Sequence, residues 1–425
     1  MCLSLGLGLA ACGGPDATSR NDWQVVHDTI GDTIVVRTVS GSIWGDTADL
    51  VPEVRIGVFE GPDEYMFGNI RSLAVAPDGC IYVYDSHARQ LRKYAPDGTY
   101  TATFGGEGGG PGEYRQPDGG LAVLPDGRVV LRDPGNARLS VYSPEGDYRD
   151  SWRIPIPFNT DRKLYTDRAG NTYTLTLLDL DRTDWTYTFA LLRYGPDGSP
   201  GDTLAVPHFD FERSQLIAQY IGESGNPVIA ALENVPFTPT ESWAYSPLGY
   251  FVGGVATRYA LYLYKAPDRV LRIERVNWQP VPVLVDEREE RERIVTAIMR
   301  QAKPDWRWNS DPIPDTKPPY RGLYVGARGR IWIRLHQQAE NIAQKELKSQ
   351  RPAPGEVPER TWIEPIAFDV FEPDGRYLGM VRAPSGFSRY PHPVFRGDTV
   401  WATVRDEFDV PYVVRFHIQH ADGET

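Results

Sequence analysis

The sequence predicts an all-β fold: a six-bladed β-propeller of four-stranded antiparallel blades, closed by an N-terminal strand and carrying short helical insertions. The first supporting observation is composition, because aromatic residues make up 12% of the 425 residues, and 41 Gly and 36 Pro favour many tight turns. The second is an internal repeat, and the third is a Pro-Asp-Gly turn that recurs within the repeats. Repeats of about 40 to 50 residues are typical of propeller blades.

The clearest repeat begins at Leu73 and returns 48 residues later at Leu121. The two copies are LAVAPDGCIYVYDSHARQLRKYAPDGTYTATFG and LAVLPDGRVVLRDPGNARLSVYSPEGDYRDSW. Each contains an apolar strand, a Pro-Asp-Gly turn, a second strand ending in Asp85 or Asp133, a third strand and a second turn. Pro fits the first central position of such a turn, and Gly supplies the positive φ. Each copy therefore predicts a four-stranded antiparallel meander.

Four weaker copies follow, at 165–206, from Trp243, from Gly322 with a resumption at Ile366, and at 393–418. The last copy lacks a fourth strand of its own. The segment 54–59, VRIGVF, precedes the first strong copy and is predicted to supply that missing outer strand. Such a pairing closes the ring without an exposed sheet edge. We therefore expect residues 23–425 to form a single six-bladed propeller domain.

Two insertions interrupt the repeats. The segment 286–302 predicts a helix that starts with a capping-box-like pair, Asp286 and Glu289, and places Ile294 and Ile298 on one face. A second helix is predicted at about 337–349. Each is expected to lie on the propeller rim, either as a structural brace or as a lid.

Residues 1–22 are predicted to be a lipoprotein signal peptide and tether. An apolar run ends in the tetrad Leu-Ala-Ala-Cys at 9–12, which resembles the bacterial lipobox. The resemblance implies that Cys12 is acylated and becomes the mature N-terminus, and that Gly13 directs the protein to the outer membrane of a Gram-negative cell. No Lys or Arg precedes Cys12, which departs from the basic start of a signal peptide. The alternative is an apolar start without a targeting role.

The second strong copy matches a known repeat. Its matching residues are Asp133, Asn136, Arg138, Leu139 and Tyr142, which resemble the NHL-repeat pattern. The first copy keeps Asp85, Leu91 and Tyr94 but has Ala88 and Gln90 at the Asn and Arg positions. The stretch FGGEGGGPGEY at 104–114 looks like a connector of bacterial six-bladed propeller lipoproteins of the TolB-like superfamily. The resemblance implies a cell-envelope protein, anchored by lipid, that faces the periplasm or the cell exterior.

The candidate ligand-binding residues lie where a meander would bring loops to one end of the ring. They are Arg71, Asp85, Arg89, Glu113, Arg115, Asp133 and Arg138. Converging charges of this kind suit an anionic or hydroxyl-rich ligand. The alternative is structural, because an Asp at a strand end commonly caps its own turn and a neighbouring Arg commonly pairs with it.

Composition and motifs restrict the function further. A formal net charge of -12 opposes a broad nucleic-acid interface, so no nucleic-acid partner is expected. No familiar nucleophile or metal motif is present, and no catalytic residue, metal site or cofactor is predicted.

The favoured function is a binding or scaffolding lipoprotein for a protein, peptide or glycan, with the membrane reached only through the lipid anchor. The alternative is a metal-dependent hydrolase or lyase of the lactonase or NHL type, in which case calcium is the expected ion. Oxygen ligands converging in the channel would favour the enzyme, and an apolar or Arg-lined mouth would favour binding.

Overall fold

The computed structural model describes residues 23–160, 162–181, 186–222, 225, 227–342 and 357–420. Within these ranges the chain folds into mainly antiparallel β-sheets with one α-helix, so the predicted all-β class is confirmed. No helix in the same ranges has both the length and the apolar character needed to cross a membrane. The predicted signal peptide and Cys12 lie outside the described residues.

The chain opens with three strands that join sheets formed later in the sequence. They are β1 (Gln24–Ile30), β2 (Thr33–Ser40) and β3 (Ala48–Ile56). Meanders 1 and 2 follow at the two strong repeats, joined by a connector with two short strands. The strands are β4 (Ile70–Val75), β5 (Ile81–Asp85), β6 (Gln90–Tyr94), β7 (Tyr100–Phe104), β8 (Gly106–Glu107), β9 (Glu113–Tyr114), β10 (Leu121–Val123), β11 (Val129–Asp133), β12 (Arg138–Tyr142) and β13 (Tyr148–Arg153).

Meanders 3 and 4 are separated by a hairpin. Meander 3 contains β14 (Tyr165–Thr166), β15 (Thr172–Asp181), β16 (Thr186–Tyr194) and β17 (Pro200–Ala205). The hairpin contains β18 (Gln215–Ile221) and β19 (Pro227–Asn234). Meander 4 contains β20 (Glu241–Ser246), β21 (Tyr250–Val255), β22 (Ala260–Ala266) and β23 (Arg269–Arg275).

The helix α1 (Val285–Ala302) leads into the last two meanders. Meander 5 contains β24 (Tyr320–Val325), β25 (Ile331–Leu335), β28 (Ala367–Phe371) and β29 (Tyr377–Arg382), and an insertion between its second and third strands carries β26 (Glu340–Asn341) and β27 (Trp362–Ile363). Meander 6 has three strands of its own, β30 (Val394–Arg396), β31 (Thr399–Arg405) and β32 (Pro411–Gln419).

The N-terminal strands complete two of the sheets. Strand β3 pairs antiparallel with β32, from Asp49 opposite Gln419 to Ile56 opposite Val413, so meander 6 gains a fourth strand from the N-terminal region. The sequence placed this strand at 54–59, and it starts earlier, at Ala48. Strand β2 pairs in parallel with β23 and adds itself and β1 to meander 4, an extension that the repeat pattern does not predict.

The turns and the core follow from the repeat. Gly79 and Gly127 close the first Pro-Asp-Gly turns of meanders 1 and 2 with φ of 91° and 87°. The alternating strands bury apolar side chains between neighbouring meanders: Tyr82 and Phe104 of meander 1, for example, pack in one cluster with Leu131 and Tyr142 of meander 2. Because each sheet buries both faces against its neighbours, the meanders stabilise one another.

The first strands of the meanders surround a common cavity. Residues from all six meanders line it, including Leu73, Leu121, Tyr165, Tyr245 and Val325. Val394 of meander 6 also lines it, so the first and last meanders meet the same space. Successive meanders arranged around one central space are typical of a propeller-like fold.

The helical predictions need correction. Helix α1 is present, but Leu284 is its N-cap and no side chain caps it, so the predicted capping box does not form. Its buried face carries Glu287, Arg291, Val295 and Met299 rather than the predicted Ile294 and Ile298, because charged side chains turn inward toward the site described below. The predicted helix at 337–349 does not begin where expected, since Glu340–Asn341 forms a strand paired with β27. Residues 343–349 lie outside the described residues.

Candidate functional site

The two predicted aspartates hold backbone together. Asp85 is fully buried, and its carboxylate accepts hydrogen bonds from the backbone N–H groups of Gly68, Asn69 and His87 at 2.8, 2.9 and 2.9 Å. Asp133 is equally buried and accepts the N–H groups of Arg115 and Gln116. These bonds fix the connector that enters each meander. The two aspartates therefore have the structural role that the sequence analysis gives as the alternative to ligand binding.

Four more predicted residues surround the Gly-rich connector between meanders 1 and 2. Arg138 donates through Nη2 to the backbone carbonyls of Gly110 and Glu113 at 2.6 and 2.7 Å. The Glu113 carboxylate accepts the Gly110 N–H at 2.7 Å. Arg89 forms an exposed ion pair with Glu107, and Arg115 is exposed. The connector has positive φ at Gly105 and Gly112, a conformation that glycine adopts readily.

Arg71 lies apart from the other six predicted residues. It lines a cavity of about 360 Å³ together with Tyr390, His392 and Arg405. The seven residues are therefore not gathered into one pocket. A ligand-binding role for them stays a prediction, while the hydrogen bonds seen for Asp85, Asp133, Glu113 and Arg138 are internal to the protein.

A different group of side chains converges near the start of meander 5. Two adjoining cavities, of about 240 and 310 Å³, share the lining residues Arg321, Arg334, Arg360 and Arg389. Arg291 of α1 lines the larger one. We call these two spaces and the five arginines the arginine cavity. The loop residue Ser388 also lines the cavity that contains Arg71, so the two sites adjoin.

Separate elements bring the five arginines together. Arg321 is the second residue of β24, and Arg334 lies next to the end of β25, so both come from the same end of the meander 5 sheet. Arg360 precedes β27 and donates to the backbone carbonyl of Trp362 at 3.1 Å. Arg291 reaches the same carbonyl at 3.1 Å from α1. Arg389 comes from the loop between meanders 5 and 6, with its guanidinium 5.1 Å from the ring centre of Tyr390.

Burial and mutual repulsion act on these cations. Burial, followed by the nearby charges of Arg321 and Arg389, lowers the pKa of Arg334 to about 10, against the opposing effects of Tyr324 and Glu364. Burial, followed by the charges of Arg291 and Arg321, lowers the pKa of Arg360 to about 10. At neutral pH all of these guanidinium groups are still charged. They form a strongly positive site in a protein whose formal net charge is -12.

The carboxylates near the cavity already have partners. Glu364 contacts Arg321 at 3.4 Å and accepts a hydrogen bond from His336 Nδ1 at 3.0 Å. Glu287 pairs with the buried Lys317 at 2.8 Å, and Glu290 accepts the backbone N–H groups of Thr361 and Trp362. Among the described residues, three carboxylates therefore face the five arginines and Lys317, which leaves an excess of three positive charges.

Protonation of the Glu364 and His336 pair follows from its surroundings. Burial alone would raise the pKa of Glu364, but the hydrogen bond from His336 and the charges of Arg321 and Lys317 lower it to about 2. Burial lowers the pKa of His336 to about 4, against the opposing effect of Glu364. At neutral pH Glu364 is ionised and His336 is neutral, so His336 adds no charge to the site.

Arg334 differs from the arginine at the same place in meander 2. Strand β11 of meander 2 begins at Val129, which pairs with Val123, and strand β25 of meander 5 begins at Ile331, which pairs with Val325 in the same way. Arg132 and Arg334 each lie three residues further along, so they occupy equivalent positions of their second strands. Arg132 is fully buried and forms an ion pair with buried Asp118. Arg334 is 8% exposed, and its guanidinium makes no hydrogen bond or ion pair with any of the residues that the structure describes. A buried guanidinium without a carboxylate is costly, so the site fits an external anion.

The arrangement suits binding of oxyanions. Guanidinium groups offer paired N–H donors that match carboxylate or phosphate oxygens. Among the described residues, no group of three or more His, Cys, Asp or Glu side chains could hold a metal ion.

Sequence reasoning missed the arginine cavity. Its members lie in five different segments, whereas the predicted ligand-binding residues belong to the strong repeats of meanders 1 and 2 and the connectors that enter them. One signal was present: IWIRL at 331–335 matches VVLRD at 129–133, but Leu335 stands where the capping Asp133 would be. That departure, with a charged residue inside an apolar strand, marks meander 5 as different from its relatives.

Comparisons with known proteins show distant similarity only. No protein-family model matches the sequence, and no curated protein does either. A solved structure of a DUF4221 family member from Bacteroides vulgatus has 10% identity and a TM-score of 0.48, over 88% of this chain and 99% of that one. A protein described as exported, from Bacteroides fragilis, has 10% identity and a TM-score of 0.43, over 91% and 99%. Virginiamycin B lyase from Staphylococcus aureus has 10% identity and a TM-score of 0.38, over 82% and 94%.

Proposed function

We propose that this protein is a cell-envelope lipoprotein whose fold is a closed six-bladed propeller, and that its arginine cavity binds an anionic ligand. Three observations support the closed ring. All six meanders line one cavity, β3 pairs with β32, and apolar clusters join neighbouring meanders, such as 5 and 6 through Trp332 and Phe395. A ring of this kind provides a rigid support for residues at its mouth.

The observation that carries the binding function is the buried Arg334 side chain, whose guanidinium has no hydrogen-bond or ion-pair partner among the residues that the structure describes. Arg321, Arg360 and Arg389 line the same space, so an anion entering it would meet several N–H donors at once. Such an anion would relieve the repulsion among the arginines and supply the acceptors that the described residues do not. The ligand class that fits is a compound with two or more carboxylate, phosphate or sulfate groups.

This ligand class agrees with a partner at the cell envelope. An acidic peptide, an acidic glycan or an acidic surface of a protein would present such groups to the cavity. The lipobox-like tetrad ending at Cys12 supports attachment through a lipid, with the propeller held beside the membrane by a short tether. For the alternative, a metal-dependent hydrolase or lyase, the described residues hold no cluster of three or more His, Cys, Asp or Glu side chains.

The proposal is tested by calorimetric titration of the mature chain with citrate and, separately, with inorganic phosphate, at matched ionic strength. We expect saturable binding of at least one anion by the wild type and at least a tenfold loss of affinity in Arg334→Gln. The matched control is Arg149→Gln, since Arg149 is an exposed arginine of meander 2 and its substitution should leave binding unchanged. Equal binding by all three proteins, or none by the wild type, would contradict the proposal.

A further inference from the structure

A second site lies in the cavity that the first strands of the six meanders surround. Its volume is about 280 Å³, near the lower end of the roughly 300 to 1,000 Å³ found for small-molecule sites. Apolar side chains form most of its wall, among them Leu73, Leu121 and Val325. Pro77, Pro125 and Ala327 line it and are exposed, so the cavity opens at that end of the ring. Because β24 runs from Arg321 toward Val325, this opening is at the opposite end from the arginine cavity.

Four charged side chains line this central cavity, and three of them are accounted for. Asp167 accepts hydrogen bonds from Asn171 Nδ2 at 2.7 Å and from the Tyr173 hydroxyl at 2.8 Å. Arg396 donates to the backbone carbonyls of Val75 and Ala76. Arg168 is exposed at the rim. The fourth is Lys163, which precedes β14.

Lys163 has no polar partner within the part of the chain that the structure describes. Its Nζ lies 5.7 Å from the ring centre of Tyr165. The other lysine to compare is Lys317, which is fully buried but has Glu287 at 2.8 Å. Lys163 thus faces an apolar wall without a carboxylate to hold its charge.

An amine in such a place loses part of its charge. Burial, with no opposing contribution from a carboxylate, lowers the pKa of Lys163 to about 8. At pH 7.5 roughly a quarter of the molecules then carry the free amine, against about one in a thousand for an ordinary lysine. A desolvated lysine beside an apolar cavity is a recognised form of activated nucleophile.

We propose that Lys163 is a nucleophile that forms an imine with a small, mainly apolar aldehyde or ketone entering the central cavity. The lone pair of Nζ attacks the carbonyl carbon and forms the N–C bond. The carbonyl oxygen then leaves as water, carrying the two hydrogens that the neutral amine held. The step needs no oxidant or reductant, and it is reversible. It is independent of the arginine cavity, because the two sites share no residue.

The test uses butanal and sodium cyanoborohydride, which converts an imine into a stable secondary amine, on the full mature chain. Peptide mass spectrometry follows the alkylation of Lys163 and of Lys303, an internal control that lies just after α1. We expect Lys163 to be alkylated at least tenfold faster at pH 7.5, with a rate that rises with a midpoint near pH 8. Equal rates at the two lysines, or a midpoint above pH 10 for Lys163, would overturn the proposal.

A second variant separates a reactive site from a merely accessible lysine. Val123→Phe places a larger side chain in the wall of the central cavity and leaves Lys163 in place. After its fold has been checked by circular dichroism, this variant should show at least a fivefold slower alkylation of Lys163 and an unchanged rate at Lys303. An unchanged rate at Lys163 would show that the cavity does not bring the aldehyde to the amine.

Discussion

Replacing Arg334 by Met should stabilise the ligand-free protein. The pKa of Arg334 falls from its ordinary 12.5 to about 10, because burial and the neighbouring cations disfavour its charged form. At about 1.36 kcal/mol for each pKa unit, the charged side chain costs the folded state roughly 3 kcal/mol. Met keeps much of the apolar stem, but some packing changes. We therefore expect a net gain of about 1 to 2 kcal/mol in the free energy of unfolding.

The equivalent substitution in meander 2 should have the opposite sign. Arg132→Met leaves the buried carboxylate of Asp118 without its cation and removes the hydrogen bonds from Arg132 to Thr174 and the Phe158 carbonyl. Breaking a buried ion pair in this way costs about 3 to 5 kcal/mol. The pair of variants thus compares two arginines at the same strand position, one with and one without a partner.

Both free energies of unfolding can be measured by urea denaturation at pH 7.5 in a chloride buffer without polyvalent anions. Addition of citrate should stabilise the wild type by about 2.7 kcal/mol at a concentration one hundred times its dissociation constant, and should stabilise Arg334→Met by about 1.4 kcal/mol or less. A loss of more than 1 kcal/mol in Arg334→Met would refute the reasoning, because it would mean that Arg334 makes stabilising contacts within the protein.

Three further predictions concern pH, the closing strand and the anchor. The folded-state pKa of His336, about 4, lies below the ordinary 6.5, so the unfolded chain binds the extra proton and stability should fall as pH decreases from 6.5 to 4, by up to roughly 3 kcal/mol. The variant His336→Asn should lose less over the same range in urea titrations, and a parallel curve would contradict the assignment. Val51 and His417 face each other across β3 and β32, so the double variant Val51→Cys, His417→Cys should form a disulfide that peptide mapping detects; its absence after oxidation would argue against this pairing. Cys12→Ala should release the protein from the membrane fraction, and unchanged membrane attachment would exclude the lipid anchor at Cys12.

Much of the fold is predictable because the turns and the alternating strands are local signals. Gly79 and Gly127 take the positive φ that the Pro-Asp-Gly pattern requires, and the strands of meanders 1 and 2 end at the predicted Asp85 and Asp133. The parallel pairing of β2 with β23 was not predictable in this way. It joins segments more than two hundred residues apart, and neither segment repeats the pattern of the other.

The candidate site was harder to predict than the fold, for a physical reason. Asp85 and Asp133 stood out because they belong to a repeated motif, but a repeated polar residue often serves the repeated structure, as their hydrogen bonds to backbone illustrate. The arginine cavity arises where the repeat is broken by α1, by the insertion of meander 5 and by the following loop. Which arginines converge depends on tertiary packing, and a single sequence does not encode that in any local pattern.

The central claim, that the arginine cavity binds an oxyanion, is tested most directly by anomalous diffraction from crystals of the mature chain soaked in selenate. Selenate has the shape and charge of sulfate, and selenium gives a signal that distinguishes it from water. We predict an anomalous peak within hydrogen-bond distance of the Arg334 guanidinium and of at least one of Arg321, Arg360 and Arg389, which is lost in crystals of Arg334→Gln. Selenate bound elsewhere on the protein, with only water beside Arg334, would contradict the claim.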